Sequence, residues 1–356
     1  MNLDSHKRGY VSSLNLQTGR VDMTHGAGGR AMAQLISELF VRYLGNDYLG
    51  QGNDGVVLPA PMLNGKPARL VMSTDGHVVT PLFFPGGDIG CLCVHGTIND
   101  VAVMGAQPLY LAAGFILEEG FALADLARIV KSMAHAAQQA GVWVVTGDTK
   151  VVERGKGDGI FITTTGVGVL PEGLNLGGER ARPGDVVLVS GTLGDHGIAL
   201  MSLRENLSFH APIASDTAAL HTLVAKVLDT GADIRCIRDP TRGGLASTLN
   251  EIAHQSGVGM MLQERAIPIK PVVAAACEFL GIDPLYVANE GKLVVICAAP
   301  DAVRVLAAMR SHPLGVDAAV MGDVVTDAHC FVQMNTAFGG RRRVDWLTSE
   351  PLPRIC

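Results

Sequence analysis

DIGCLCVHGTINDVAVMGAQPLYLAAGFIL, residues 88–117, decides the fold. From Asp88 to Met104 small and apolar residues run for more than four turns with one internal carboxylate, Asp100, and Gly105 stands where a helix stops. Pro108 to Leu117 then reads as a strand. Working outward, Arg69 to Ser73 is a strand ahead of this pair, Leu123 to Ala140 is a helix closed by Gly141, and Val142 to Thr146 and Ile160 to Val169 are strands behind it. Helices alternating with strands make this an α/β half. Further out, Gly29 to Leu44 reads as a helix with Leu35, Ile36, Leu39, Phe40, Tyr43 and Leu44 on one stripe.

At Arg180-Ala-Arg-Pro-Gly the composition turns, and a second mixed half begins with the strand Val186 to Ser190. Helices are expected at Gly243 to Gln255, Pro271 to Phe279 and Asp301 to Arg310, with strands at Met260 to Gln263, Leu293 to Ala298 and Ala319 to Val325. The fold class is therefore α/β of the α+β type, two mixed domains followed by a tail. The expected division is 1–45, a glycine-rich loop and helix; 46–180, the first α/β domain; 181–338, the second; and 339–356, a flexible extended tail.

Charged residues make up 17% of the 356, below the average of about 25%, while 43 glycines give many backbone turns. A net charge of −6 with one short basic run, Arg341 to Arg343, excludes a phosphate-binding stripe of the nucleic-acid kind. Met1 to Gln17 has no apolar core of a secretory signal, and no run approaches the length of a membrane span, so a cytoplasmic location is expected. Seven scattered cysteines are not a disulfide framework. Cys91 and His95 share a helix face while Cys93 points elsewhere, which is awkward for zinc.

Aspartates recur beside glycine turns: Gly52-Asn-Asp54-Gly, Ser73-Thr-Asp75-Gly and Gly147-Asp148-Thr149-Lys150, with Asn99-Asp100 inside the helix. Singly, each Asp–Gly pair is also what an ordinary turn requires. Together they suit magnesium carrying a nucleoside triphosphate, since Mg²⁺ takes one or two carboxylates plus phosphate oxygens. His25-Gly-Ala-Gly-Gly29-Arg30 precedes a helix as a phosphate-cradling loop does, without the Walker A pattern. Arg238-Asp-Pro-Thr-Arg242-Gly-Gly244 opens a helix with an arginine at its N-terminus. Asn289-Glu290-Gly291 offers a carboxylate before a strand.

In this order the motifs resemble the ATP-binding superfamily of aminoimidazole ribonucleotide synthetase, selenophosphate synthetase and thiamine-monophosphate kinase, over about Asp54 to Gly322. Within it, His25 to Gly29, Gly147 to Lys150, Val287-Ala-Asn-Glu290-Gly291 and the ending Pro351-Leu-Pro-Arg-Ile-Cys356 resemble the HypE family of carbamoyl dehydratases in hydrogenase maturation. The resemblance implies ATP and Mg²⁺ as cofactors, with Asp54, Asp75, Asp100 and Asp148 as metal ligands. It also implies nucleotide contacts from Asn99, Gly147 and Thr149, and a homodimer whose interface helps build the site. Cys356 would accept a carbamoyl group from the carbamoyltransferase HypF. ATP-dependent dehydration would turn that group into a thiocyanate, for delivery as cyanide to iron on a HypC–HypD scaffold. Lys150 and Glu290 would stabilise charge and remove protons, in an order left open.

A cysteine in last position cannot be fixed from both sides, and from Gly340 a tail at about 3.3 Å per residue reaches about 50 Å. Pro351 and Pro353 stiffen its end. Two other readings compete: another enzyme of the superfamily, such as a small-molecule kinase or selenophosphate synthetase, or a nucleotide-binding scaffold that only presents its tail. Selenophosphate synthetase needs an early reactive cysteine, and here none precedes Cys91.

Overall fold

The structure, a computed structural model, describes residues 13, 29–35, 37–38, 53, 56–59, 68–207, 212–348 and 354–356. The helix expected at 29–44 is described as α1 (Arg30–Leu35), and most of its remainder lies outside the described residues. So do Asp54 and residues 25–28 of the glycine-rich loop.

The first half is a five-stranded sheet of β1 (Val56–Pro59), β2 (Ala68–His77), β5 (Gln107–Glu118), β6 (Trp143–Val152) and β7 (Ile160–Pro171). Its order is β1-β2-β7-β5-β6, with β5 and β6 parallel and the other neighbours antiparallel. A two-residue hairpin, β3 (Phe83–Phe84) and β4 (Gly87–Asp88), leads into α2 (Ile89–Val103). Asp88 starts α2 by accepting the N–H groups of Gly90 and Cys91, and Gly105, at φ 82°, turns the chain after it. Ile89, Leu92, Ile98 and Val101 are fully buried on α2, as expected of a helix apolar all round. It lies against β2 and β7, where a Cβ on Gly166 would come within 2.9 Å of the Thr97 side chain. The helix α3 (Leu123–Ala140) packs beside it and ends at Gly141, φ 69°.

The second half is a seven-stranded sheet, order β14-β13-β10-β12-β8-β11-β9. Its strands are β8 (Val186–Val189), β9 (Ile234–Arg238), β10 (Gly259–Gln263), β11 (Val294–Cys297), β12 (Ala319–Val325), β13 (Val332–Asn335) and β14 (Arg341–Arg343). Every residue of β8, β9 and β11 is buried. One apolar layer includes Leu245, Leu249 and Ile252 of α6 (Gly244–Ser256), and another includes Leu223 and Val227 of α5 (His221–Leu228) with Val305 of α8 (Ala302–Arg310). A core cluster runs from Ile89 and Ile129 of the first half to Ile198 of α4 (Asp195–Arg204) and Val273 of α7 (Pro271–Leu280), and it includes Ile355.

The sequence from Gly339, expected as an extended tail, is tied down wherever it is described. Arg341–Arg343 pair with β13. Val344 is fully buried, and the Leu347 carbonyl oxygen accepts the Arg30 N–H at 3.1 Å. The one short basic run, Arg341 to Arg343, is thus an edge strand. Arg342 pairs with Asp283 at 2.7 Å and Arg343 lies over the Phe331 ring.

Candidate active site

Alternation along β2 turns Ser73, Asp75 and His77 to the face covered by α2, where Gly96 and Asp100 stand one turn apart. Ser73 Oγ donates to Asp100 Oδ2 at 2.7 Å, and a Cβ on Gly96 would lie 3.5 Å from Asp75 Oδ2. Asp75 and Asp100 are thereby neighbours under one roof, with Asp75 Oδ1 accepting its neighbour's Gly76 N–H at 2.8 Å. His77 is buried beside them, its Nε2 at 3.8 Å from Asp75 Oδ2 and 3.1 Å from Thr164 Oγ1. Burial lowers its pKa below the ordinary value, against a smaller upward pull from Asp75.

Among the described residues no group of three or more His, Cys, Asp or Glu side chains forms a ready metal cage. Two adjacent carboxylates are what Mg²⁺ takes when phosphate oxygens and water complete its shell, so the donor set at Asp75 and Asp100 fits that ion. Asp148 stands elsewhere. It is on the edge strand β6, with Lys150 Nζ 2.8 Å from its Oδ2 and both side chains about two-thirds exposed. Gly147 is in the same strand, beside Ala113, and Thr149 lies opposite Phe115 on β5. Asp75 pairs with Thr164, Thr164 with Ala113, and Ala113 with Gly147. Three strand spacings put about 14 Å between the row's two ends.

Asn99 is buried, and its amide joins the two halves: Nδ2 donates to the carbonyl oxygens of Ala218 at 3.0 Å and Glu290 at 3.3 Å, while Oδ1 accepts the Leu220 N–H at 2.8 Å. These bonds hold the Glu290 loop over α2. Glu290 is buried, and its Oε1 has no hydrogen-bond partner among the described residues. Burial, then Asp216, Asp239 and Asp75, push its pKa well above the usual carboxyl range, with Arg242 opposing. Asp216 accepts the Glu290 N–H at 3.1 Å and the Lys292 ammonium at 2.9 Å. Gly291 is obligatory there, because a Cβ would overlap the Asp216 carbonyl oxygen. Gly291→Ala is expected to destabilise the chain by about 1–3 kcal/mol through overpacking, read as a lower Tm, and to disturb Glu290. An unchanged Tm would show that the loop has room.

The Arg238 to Gly244 segment opens α6 through Gly243, φ 75°, with no side-chain cap. Asn289 accepts the Gly194 N–H at 2.8 Å and donates to the Pro240 carbonyl oxygen at 3.0 Å. That ties this helix start to the Glu290 loop and carries Arg242 into the field of His77 and Glu290.

The end of the chain docks here. Ile355 bridges Val79 in antiparallel fashion just beyond β2. The Val78 N–H donates to the Cys356 main-chain oxygen at 3.0 Å and the Thr80 N–H to the Arg354 oxygen at 3.1 Å. Ile355 is buried, Cys356 is half-buried against the core, and Arg354 pairs with Asp158. Cys356 therefore stands opposite Val78, one residue along the pairing from His77 and two from Asp75's neighbour Gly76. Sequence reasoning missed Asp216, Lys292 and His196. Lys292 adjoins the Glu290 motif, but Ser215 and Asp216 fall in a stretch without period or motif. Cys91 caps α2, its Sγ 3.3 Å from the Asp88 N, and His95 bonds Thr217.

Residues 52–170 match the family "AIR synthase related protein, N-terminal domain" and residues 182–335 match "AIR synthase related protein, C-terminal domain". The chain is thus a protein of the AIR synthase-related class. The thiamine monophosphate kinase of Aquifex aeolicus, 19% identical at TM-score 0.62, shares the fold over 88% of this chain and 99% of its own. The carbamoyl dehydratase HypE of Azotobacter vinelandii is 66% identical over 346 residues, 97% of this chain and all of that one. Crystal structures of a HypE–HypF complex and of HypE with ATP superpose at TM-scores 0.82 and 0.79, with 50% and 49% identity. They cover 88% and 95% of this chain, and 99% and 100% of theirs. The chain belongs to the HypE family, the carbamoyl dehydratases of hydrogenase maturation. No helix among the described residues is long and apolar enough to cross a membrane.

Proposed function

We propose that this chain binds ATP with Mg²⁺ at Asp75 and Asp100, joined by Asp54, and dehydrates a carbamoyl group carried on Cys356 to a thiocyanate. The observation that carries this reading is the docked terminus: Cys356 beside Val78, at the end of the strand that bears Asp75. Mg²⁺ would screen phosphate charge. ATP supplies the phosphoryl group that makes the amide oxygen leave as phosphate. The carbon–oxygen bond breaks, two N–H protons depart, and a C≡N group remains on sulfur.

Glu290 is the proton acceptor in this reading. Burial and the nearby carboxylates raise the pKa of this carboxyl, which makes its carboxylate a stronger base than an exposed one, and its Oε1 has no hydrogen-bond partner among the described residues. Lys150 supplies the positive charge. In one chain it turns to Asp148 on an exposed edge, so we infer a homodimer in which β6 meets a second copy and brings Gly147, Asp148, Thr149 and Lys150 to the partner's Asp75. Apolar exposure along this sheet supports that: Trp143, Val145 and Val151 are 73%, 57% and 67% exposed, and Tyr110 of β5 48%. Val145→Asp is expected to shift the sedimentation coefficient to that of a monomer and to weaken Mg²⁺-dependent ATP binding about tenfold or more. A monomer with parental ATP affinity would remove Asp148 from the site.

HypF is the proposed carbamoyl donor and a HypC–HypD complex the acceptor of cyanide, in the cytoplasm where ATP is available. Measuring ATP consumption with and without carbamoylated Cys356 tests the function. Dependence on the modified tail supports the dehydratase. ATP turnover indifferent to it would favour a small-molecule kinase, and none at all a presenting scaffold. Asp100→Asn is expected to weaken ATP binding about tenfold while Cys356 still accepts carbamoyl. Parental ATP affinity would sink the metal assignment.

A further inference from the structure

His196, on the first turn of α4, is fully buried between the chain's end and Ser215. Its Nε2 lies 2.7 Å from the Ile355 carbonyl oxygen and its Nδ1 2.7 Å from Ser215 Oγ. A carbonyl oxygen only accepts, so Nε2 carries a hydrogen. Burial lowers the ring's pKa despite Asp216, which keeps it neutral, so Nδ1 accepts from the Ser215 hydroxyl. Phe84 meets the ring edge-on at 5.6 Å and 88°, fixing its plane. Turning the ring would break both bonds.

Ser215 is held in turn. Its N–H donates to the Pro85 carbonyl oxygen at 2.8 Å, and its Oγ accepts the Thr217 N–H at 3.1 Å. The next residue, Asp216, holds the Glu290 N–H, and Ala218 contacts the Glu290 carbonyl oxygen and Asn99. One segment, 215–218, thus carries the tail clamp at one end and the Glu290 brace at the other. At the last turn of α4, Arg204 donates to the Thr80 carbonyl oxygen at 2.6 Å and to that of Arg354.

We propose that His196 is a positioning residue for the dehydration step: its Nε2–H, oriented by Ser215, grips the last peptide carbonyl and presents Cys356 at a fixed offset from Glu290. It touches neither sulfur nor substrate. It acts by registering the terminus on the segment that also holds the base. The proposal takes Cys356 as the carrier from the reading above.

The test compares His196→Ala, His196→Gln and Ser215→Ala in the full chain. One readout is hydrogen exchange at the Val78 and Thr80 amides, which donate to the tail; the other is single-turnover dehydration of carbamoylated Cys356. His196→Ala is expected to speed exchange at both amides about tenfold and to slow dehydration by a similar factor. His196→Gln, whose amide N–H reaches toward the same carbonyl, should restore most of both, and Ser215→Ala should fall between. Unchanged exchange in His196→Ala and Ser215→Ala would overturn the proposal, as would lost dehydration with both amides still protected. Should His196→Ala fail to fold, Ser215→Ala decides alone, because it removes one hydroxyl and little volume. Exchange involves no carbamoyl chemistry, so an inactive parent with a docked tail would count against the carrier reading and not against the clamp.

Discussion

A chain extended by three residues past Cys356 is expected to bind ATP as the parent does and to dehydrate nothing. The reason is register. Val79 stands opposite Ile355 in an antiparallel bridge, so added residues would run back along β2, with the second opposite Gly76 and the third opposite Asp75. They would enter the space in front of the carboxylates or pull the terminus out of its place. Either event shifts the thiol from the position in which the terminus docks, and moving reacting groups by about 1 Å can already cost about a hundredfold. Cys356→Ala should abolish modification of the tail altogether, since no thiol remains to carry it. Cys356→Ala should unfold at nearly the parental temperature, because Cys356 is only half-buried. Dehydration of the extended chain at the parental rate would make the terminal position incidental.

Glu290→Gln is expected to lower single-turnover dehydration by about 10²–10⁴, the range of a lost general base. The substitution keeps size and removes the ionisable proton acceptor, and the Asn99 and Ala218 contacts to the Glu290 main chain persist. A stability signature accompanies it. Because the folded-state pKa of Glu290 is raised, the parent's stability from this group is full below the unfolded carboxyl value and is lost as pH rises through the raised one. The metal-free Gln variant escapes that loss, so its Tm should gain on the parent's with rising pH. Parallel Tm curves and parental dehydration would remove Glu290 from the mechanism.

Much of this was legible in the residues because local chemistry set it. Gly105 and Gly141 as stops, and the apolar run that begins at Asp88, mark α2 and α3 without help from distant parts. The strand read as Val142 to Thr146 continues as β6 to Val152, since the β5 ladder carries Gly147-Asp148-Thr149 past what looks locally like a turn. α4, α5, β9, β13 and β14 gave no clear period, being short or buried on all sides. Asp75, Asp100 and Glu290 stand out as acids in glycine or apolar settings. Their partners do not: Asp216 meets Lys292, and His196 meets Ile355, across gaps that only the folded chain closes. The docking of Cys356 belongs to the same class, because a tail read by composition alone shows reach and not destination.

In the proposed reaction the Cys356 thiol carries the group on which ATP acts. The most direct measurement is the intact mass of the C-terminal peptide after the chain is incubated with a carbamoyltransferase, carbamoyl phosphate and ATP. The peptide should first gain a carbamoyl group on Cys356 and then, only when this chain's own site has ATP, lose the mass of one water. A carbamoylated peptide that keeps its mass while ATP is consumed, or a modification found on any cysteine other than Cys356, would contradict the claim.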